Sequence, residues 1–200
     1  MGHPGVNRCK ALARQSIYWI NIDRDIDYLV YSYPTCCKFQ ETVPSLDLLP
    51  HEPPSRPFQR LALDIFHFEH KDYLLMVDYF SKWYAFKEIH SKTAESVIKV
   101  LEPMFSIFGI PEEIVADNNP FNSEELCKFA DEWDFILTTS SPNYSKSNGL
   151  AERHVQTAKT LLRKCADTAT NVHLALLQSR STPIESIGLS PAQIVFRRQI

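Results

Sequence analysis

Asp64, Asp117 and Glu152 are the residues in this sequence whose type and placement could do chemistry together. Asp64 interrupts the apolar run Leu61-Ala62-Leu63 and Ile65-Phe66, where a carboxylate is costly unless it is paired or bound to a cation. Asp117 follows the short segment Ile114-Val115-Ala116, and strand ends of this kind are where α/β sheets collect ligands. Glu152 falls in the first turn of a long helical pattern. Carboxylates near one another repel and shift each other's proton affinity, so a group of three calls for a divalent cation. Hard oxygen donors with open positions suit Mg²⁺ or Mn²⁺, which activate a nucleophile and stabilise a leaving oxygen in phosphoryl transfer. Taken singly, each residue has a plainer explanation. Acidic side chains are common at strand ends and helix starts, Glu152 also suits the helix dipole, and 24 acidic residues offer many accidental triples.

The elements that must position these groups follow from periodicity. Apolar runs at Arg60–Phe66, Tyr73–Val77 and Trp83–Ile89, separated by short polar breaks, read as an antiparallel meander. From Thr93 the period changes, and Val97, Val100, Leu101, Met104 and Phe108 predict a helix that ends near Gly109. Glu113–Ala116 reads as a short strand, residues 123–132 as a helix and Phe135–Leu137 as another strand. Helices follow from Asn148 to Asp167 and over 170–179 and 190–198. The expected class is an α/β mixed sheet with helices packed on its faces.

Ahead of this body, five of the thirteen prolines fall between residues 41 and 57. That stretch can be neither helix nor central strand and reads as a semi-rigid linker. The expected organisation is a head over residues 1–40, a linker over 41–56 and a body over 57–200. Within the head, Cys9, Leu12 and Ala13 mark one short helix and Ile22, Ile26, Leu29 and Val30 a second. Elements this small bury little surface and usually need a metal or a partner to fold.

On the helix beginning near Asn148, Leu150, Ala151, Val155, Ala158, Leu162 and Cys165 form a core stripe. Glu152, Gln156, Lys159 and Arg163 recur beside it at i, i+4, i+7 and i+11. A carboxylate heading a row that ends in two cations suits a scissile phosphate with flanking phosphates held by charge, although an ordinary solvated face has the same spacing. The net charge of −3 is unevenly spread. Residues 1–40 carry five Lys or Arg against three Asp or Glu, residues 41–150 nine against eighteen, and residues 151–200 seven against three. The basic last quarter is compatible with a phosphate-facing surface. The longest apolar run, Leu74–Val77, is far short of the roughly 20 residues of a membrane span. No signal peptide is legible, and five cysteines in no framework pattern fit a reduced compartment. The expectation is an intracellular protein of nucleus or cytoplasm with no membrane partner.

With these motifs in order, the sequence resembles the integrases of gypsy-type LTR retrotransposons and, more distantly, of retroviruses. Phe58–Asp64 resembles the family's first catalytic strand, and Asp72–Trp83 its second strand and turn. Gly109-Ile110-Pro111-Glu112 precedes Asp117-Asn118 at the second aspartate. Ser147-Asn148-Gly149-Leu150-Ala151-Glu152-Arg153 resembles the glutamate helix, and Gly188–Ala192 the closing segment. In the head, His3-Pro4-Gly5, Ile17-Tyr18-Trp19 and Pro34-Thr35-Cys36 match a His-His-Cys-Cys zinc domain. The resemblance implies an RNase H-like core preceded by a small helical zinc-binding-like module. It implies a polynucleotidyl transferase that integrates DNA by two-metal phosphoryl transfer, with Asp64, Asp117 and Glu152 as catalytic residues and Mg²⁺ or Mn²⁺ ligands. Asn148, Arg153, Gln156, Lys159 and Arg163 would contact DNA, and the partners implied are DNA and further copies of the chain.

The sequence departs from the family in places that matter. Only His3 and Cys36 remain of the zinc ligands: Tyr33 holds the first cysteine position, and the first histidine would precede Met1. Structural zinc sites want four ligands, so tight zinc binding is not expected. After Asp117 the loop Asn118-Asn119-Pro120-Phe121 is one residue short, with Asn119 in place of a glycine. Asparagine tolerates positive φ, so the turn is expected to survive. Ser145-Lys146 replace the family's Pro-Gln. The family's basic C-terminal domain is not present in the sequence, which reads as a degenerate or partial copy. The competing reading is a catalytically inactive, transposon-derived DNA-binding or assembly module.

Overall fold

Strand β1 (Arg60–Phe68) buries Leu61 and Leu63 on one face and Ala62 and Phe66 on the other, the signature of a strand covered on both sides. Here and below, the chain is described from a computed structural model, which describes residues 5–34, 53–139 and 149–200. His3, Cys36, Asn148, the segment around Ser145-Lys146 and most of the proline-rich stretch lie outside the described residues.

β2 (Lys71–Asp78) pairs antiparallel with β1, and β3 (Tyr84–Ile89) antiparallel with β2, forming the expected meander. β4 (Glu113–Ala116) lies parallel to β1 on its other side, and β5 (Ile136–Thr139) parallel to β4. The result is a mixed five-stranded sheet in the order β3-β2-β1-β4-β5. β3 begins at Tyr84, one residue later than the apolar run, because the carbonyl of Trp83 closes the turn by accepting from Asp78 N at 2.8 Å. β5 is displaced toward the polar Thr138 and Thr139, and as an edge strand it exposes Ile136.

The chain divides into two compact units, Leu46–Thr157 on the one hand and Met1–Ser45 with Ala158–Ile200 on the other. In the first, helix α3 (Ala94–Phe108) starts at Thr93, whose hydroxyl accepts from Ser96 N, and buries Val97, Leu101 and Phe105 at helical spacing. α4 (Glu124–Glu132) is capped by Ser123 and buries Leu126 and Phe129. Phe105, Phe129, Trp133 and Phe135 form a ring cluster with centroids 5.3 to 6.0 Å apart. Such pairs add about 0.5–1.5 kcal/mol each beyond area burial, and here they lock α3 and α4 to the entry of β5.

α3 stops where the sequence predicts, because Gly109 has φ 86° and ψ 166°, a region that only glycine occupies without strain. A Cβ there would meet nothing within 4 Å, so the cost of Gly109→Ala is conformational. We expect a loss of about 1–2 kcal/mol in urea unfolding with an unchanged m-value; a neutral result would show that the backbone relaxes.

The second unit contains α1 (Val6–Arg14) and α2 (Ile22–Ser32), joined by ion pairs Lys10–Asp27 at 2.6 Å and Arg14–Asp23 at 2.7 Å. Ile22 and Ile26 are its buried residues on α2. The unit also holds the later turns of α5 (Gly149–Thr168), α6 (Val172–Ser181) and α7 (Pro191–Phe196). Asn7 Nδ2 donates to Glu185 at 3.1 Å, tying the start of α1 to the loop after α6. α7 opens with a full capping box between Ser190 and Gln193, a motif that satisfies two orphan donors at once.

Candidate functional site

The site begins with register. Arg60, Leu61 and Ala62 of β1 pair with Glu113, Ile114 and Val115 of β4, and continuing that register by two residues sets Asp64 beside Asp117. Neighbouring strands are about 4.8 Å apart, so that register puts the two residues side by side on one face. Across the other pairings, Asp64 opposes Leu75 and Leu75 opposes Phe86. One row of one sheet face therefore reads Phe86, Leu75, Asp64, Asp117, and the apolar part of the row backs the acidic part.

The two aspartates differ in setting. Asp64 is half-buried and its Oδ1 accepts from Ile65 N at 2.7 Å. Asp117 is exposed just past β4, and its Oδ1 accepts from Asn118 N at 2.8 Å. The shortened loop after it is closed by Asn122 N donating to Asn118 O at 2.7 Å and Ser123 N donating to Pro120 O at 3.2 Å. Asn119 is not left-handed. The turn survives the missing residue by these hydrogen bonds rather than by a positive φ at Asn119, while Phe121 anchors it in the core.

Helix α5 carries Glu152 in its first turn and packs His154 on the same sheet face. Its buried flank comprises Ala151, His154, Val155 and Ala158, as the core stripe predicts. The His154 ring packs on Tyr84 at 5.5 Å between centroids, and its Nδ1 donates to Leu150 O at 2.9 Å. Tyr84 pairs with Val77 and Val77 with Ala62, so Tyr84 shares the face that carries Asp64. Glu152 lies two residues before His154, about 200° around the helix, and its side chain is exposed. Among the described residues no three His, Cys, Asp or Glu side chains are drawn into a group that could hold a metal ion. The register of β1 and β4 thus leads toward Asp64 and Asp117, and Glu152 stands on the helix whose His154 packs on the same face, without the three carboxylates closing together. Arg153 and Gln156 are exposed, and Lys159 and Arg163 half-buried, farther along the same helix.

Sequence reasoning located the turn after β2 but missed the residue that holds it. Asp78 ends β2 fully buried. Its Oδ1 accepts from Phe58 N at 3.0 Å, and its Oδ2 from Ser81 N at 2.8 Å and from the Ser81 hydroxyl. The Asp-x-x-Ser spacing after an apolar strand was the available signal, since aspartate side chains close such turns. Lys82 follows in a left-handed conformation, φ 59°.

Comparison with known proteins bears on what this arrangement is. Residues 1–42 match the family described as the integrase zinc binding domain. The whole chain aligns at 32% identity with the uncharacterized protein K02A2.6 of Caenorhabditis elegans, and 98% of it at 30% identity with the transposon Tf2-3 polyprotein of Schizosaccharomyces pombe. These matches support a retrotransposon integrase. The chain spans only 16% of the length of each of those two relatives. The integrase fold is shared with the intasome of simian T-cell lymphotropic virus solved with a PP2A regulatory subunit, at TM-score 0.67 and 20% identity over 97% of this chain and 70% of that one. It is shared too with the HTLV-2 integrase catalytic core solved as a dimer with magnesium, at TM-score 0.59 and 24% identity over 70% of this chain and 97% of that one. The mixed sheet with flanking helices expected from the sequence is therefore the integrase core fold. Among the described residues, no helix is long and apolar enough to cross a membrane.

Proposed function

We propose that this integrase-family chain is a polynucleotidyl transferase that acts on DNA through divalent metal ions. What carries the reading is the parallel pairing of β1 with β4, whose register, continued by two residues, sets Asp117, just past the end of β4, across from Asp64 with an apolar row behind. Two carboxylates next to each other in one row form a hard-oxygen donor pair, which fits Mg²⁺ or Mn²⁺ and not a soft or closed structural site. Asp64 and Asp117 would hold one ion, and Asp64 with Glu152 a second. Bound there, such ions activate a water or a DNA 3′-hydroxyl and stabilise the departing oxygen.

The chain's own residues bind and orient the strand. Gln156, Lys159 and Arg163 follow Glu152 along α5 at helical spacing, and with Asn148 and Arg153 they hold phosphates on either side of the reacting one without reading bases. No covalent enzyme intermediate is needed, because the attacking oxygen belongs to water or to DNA. Residues 57–200 form the catalytic core in this reading, 1–40 a zinc-binding-like module with His3 and Cys36 as residual ligands and no tight zinc, and 41–56 a linker. The acting form is a homo-oligomer, and the HTLV-2 core, whose structure is dimeric, is the precedent for that.

One observation favours a second reading, a catalytically silent DNA-binding or assembly module. The three carboxylates are not gathered among the described residues, and Glu152 is exposed on a flank turned away from the His154 contact. End-joining separates the two. A duplex with a free 3′-hydroxyl should be joined to a second duplex in Mn²⁺ or Mg²⁺, and EDTA should stop the reaction. DNA binding that persists unchanged in EDTA, with no joining under any divalent ion, would establish the silent module.

A further inference from the structure

Strand β4 is four residues long and pairs with β1 through three of them, Glu113, Ile114 and Val115. Its apolar residues Ile114, Val115 and Ala116 are all buried, and so are Leu61, Ala62 and Leu63 of β1. Strands buried on both faces carry no alternation of apolar and polar residues, and that alternation is what ordinarily fixes register. A polar pair at the head of the two strands supplies what the apolar runs lack. Arg60 Nε donates to Glu113 Oε2 at 2.6 Å, with both side chains half-buried. The other oxygen, Oε1, accepts from the Thr138 hydroxyl of β5 at 2.9 Å, so one carboxylate is held from the strands on both sides of it. The arginine is fixed at its own end. Its guanidinium lies 5.9 Å from the centre of the Tyr79 ring, and its carbonyl accepts from Tyr79 N at 3.0 Å. The adjoining pair Arg56–Glu112, at 2.7 Å, is more than half exposed on both partners and contributes little.

We infer that Arg60 and Glu113 are positioning residues, which set the register on which the proposed metal site depends. Asp64 follows Arg60 by four residues and Asp117 follows Glu113 by four, so the ion pair fixes the same register that, continued, sets Asp117 across from Asp64. A slip of one residue would carry Glu113 and Asp117 to the other face, and a slip of two would move Asp117 by about 6.6 Å along β1. Ligands of a working site tolerate displacements of only about 0.5 Å. The pair adds little net stability, because desolvation of both charges offsets their attraction, and fixing register is the better-attested use of such a pair. This role rests on reading Asp64 and Asp117 as metal ligands, and extends that reading to two residues outside the ligand set.

The full chain is compared with Glu113→Gln, which keeps the shape of the side chain and an oxygen for Thr138, and with Arg60→Gln as a second charge-removing variant. Arg60→Lys, which keeps the charge, is the rescue. Glu88→Gln, which breaks the Lys71–Glu88 pair between β2 and β3 at 2.8 Å, is the control for equal charge loss. Register is read without metal by adding Asp64→Cys and Asp117→Cys to each protein, oxidising mildly and mapping the link by mass spectrometry. Residues directly across neighbouring strands can be bridged, whereas a Cα separation above about 7 Å forbids it. Mn²⁺ binding is read from the spin resonance of the free ion, in the same proteins without the added cysteines. Parent, Arg60→Lys and Glu88→Gln should form the link and bind Mn²⁺ alike. Glu113→Gln and Arg60→Gln, still folded by thermal unfolding, should lose most of the link and bind Mn²⁺ roughly tenfold more weakly. A link that depends on the pair in a parent that binds no Mn²⁺ leaves the register role standing and removes the metal reading. A parent that binds Mn²⁺ with an affinity the Glu113 and Arg60 variants share overturns the positioning role and leaves the metal reading in place. A parent that forms no link, or an equal loss of link in Glu88→Gln, overturns it as well.

Discussion

The Glu152→Gln substitution is expected to abolish Mn²⁺-dependent DNA cleavage, a loss of roughly a thousandfold or more, with binding of the duplex and thermal stability nearly unchanged. The size of the effect follows from chemistry: an amide cannot supply the negative charge that a shared divalent ion needs, and ligands that act as a unit fail as a unit. Its selectivity follows from position. Glu152 is exposed in the first turn of α5, glutamine has nearly the same shape, and exposed substitutions of this kind usually stay within about 0.5 kcal/mol. Gels of cleaved plasmid, thermal unfolding and duplex anisotropy on one protein preparation provide the three readouts. Cleavage that survives the substitution would remove Glu152 from the mechanism, whereas a large fall in unfolding temperature would make its role structural.

Asp78→Ala carries the largest expected effect on stability. The carboxylate has no exposed surface and takes hydrogen bonds from the backbone amides of Phe58, Phe80 and Ser81 and from a hydroxyl. Alanine leaves the Phe58 and Ser81 amides without this acceptor in a dry turn. Each stranded donor costs about 1–3 kcal/mol, so we expect about 3 kcal/mol or more in total. For a chain of this length that corresponds to a fall in Tm of roughly 6–12 °C. Asp78→Asn should recover part of it, since one amide oxygen remains to accept. A Tm within about 2 °C of the parent for Asp78→Ala would mean that water or a backbone shift replaces the carboxylate.

These two residues show what the sequence could and could not reveal. Element identity was legible wherever a period was clean. Glu113–Ala116 is a strand with the bounds that its apolar run gives, and α3 ends at the glycine that must end it. The meander was legible because short polar breaks leave antiparallel pairing as the simple connection. The register that leads from β1 and β4 toward Asp64 and Asp117 was not, because a parallel pairing between residues 53 positions apart leaves no local pattern; residue type and placement suggested the group, and the motif resemblance made it specific. Nor could periodicity show that Asn7 reaches Glu185. Helical spacing told which residues share the Glu152 stripe, but it could not say how that stripe is turned relative to the sheet, which the packing of His154 on Tyr84 decides. Asp78 escaped notice for a different reason: a buried carboxylate satisfied by amides and a surface carboxylate look alike in sequence. Lys82 escaped because backbone strain is invisible until the chain is folded.

Whether the acidic row is a working metal site is tested most directly by nicking of supercoiled plasmid by the full chain in Mn²⁺. A working site yields relaxed and linear DNA in Mn²⁺, none in EDTA, and none from the Asp64→Asn variant run beside it. A folded, DNA-bound parent that leaves the plasmid supercoiled in Mn²⁺ would contradict it and leave the chain a DNA-binding module.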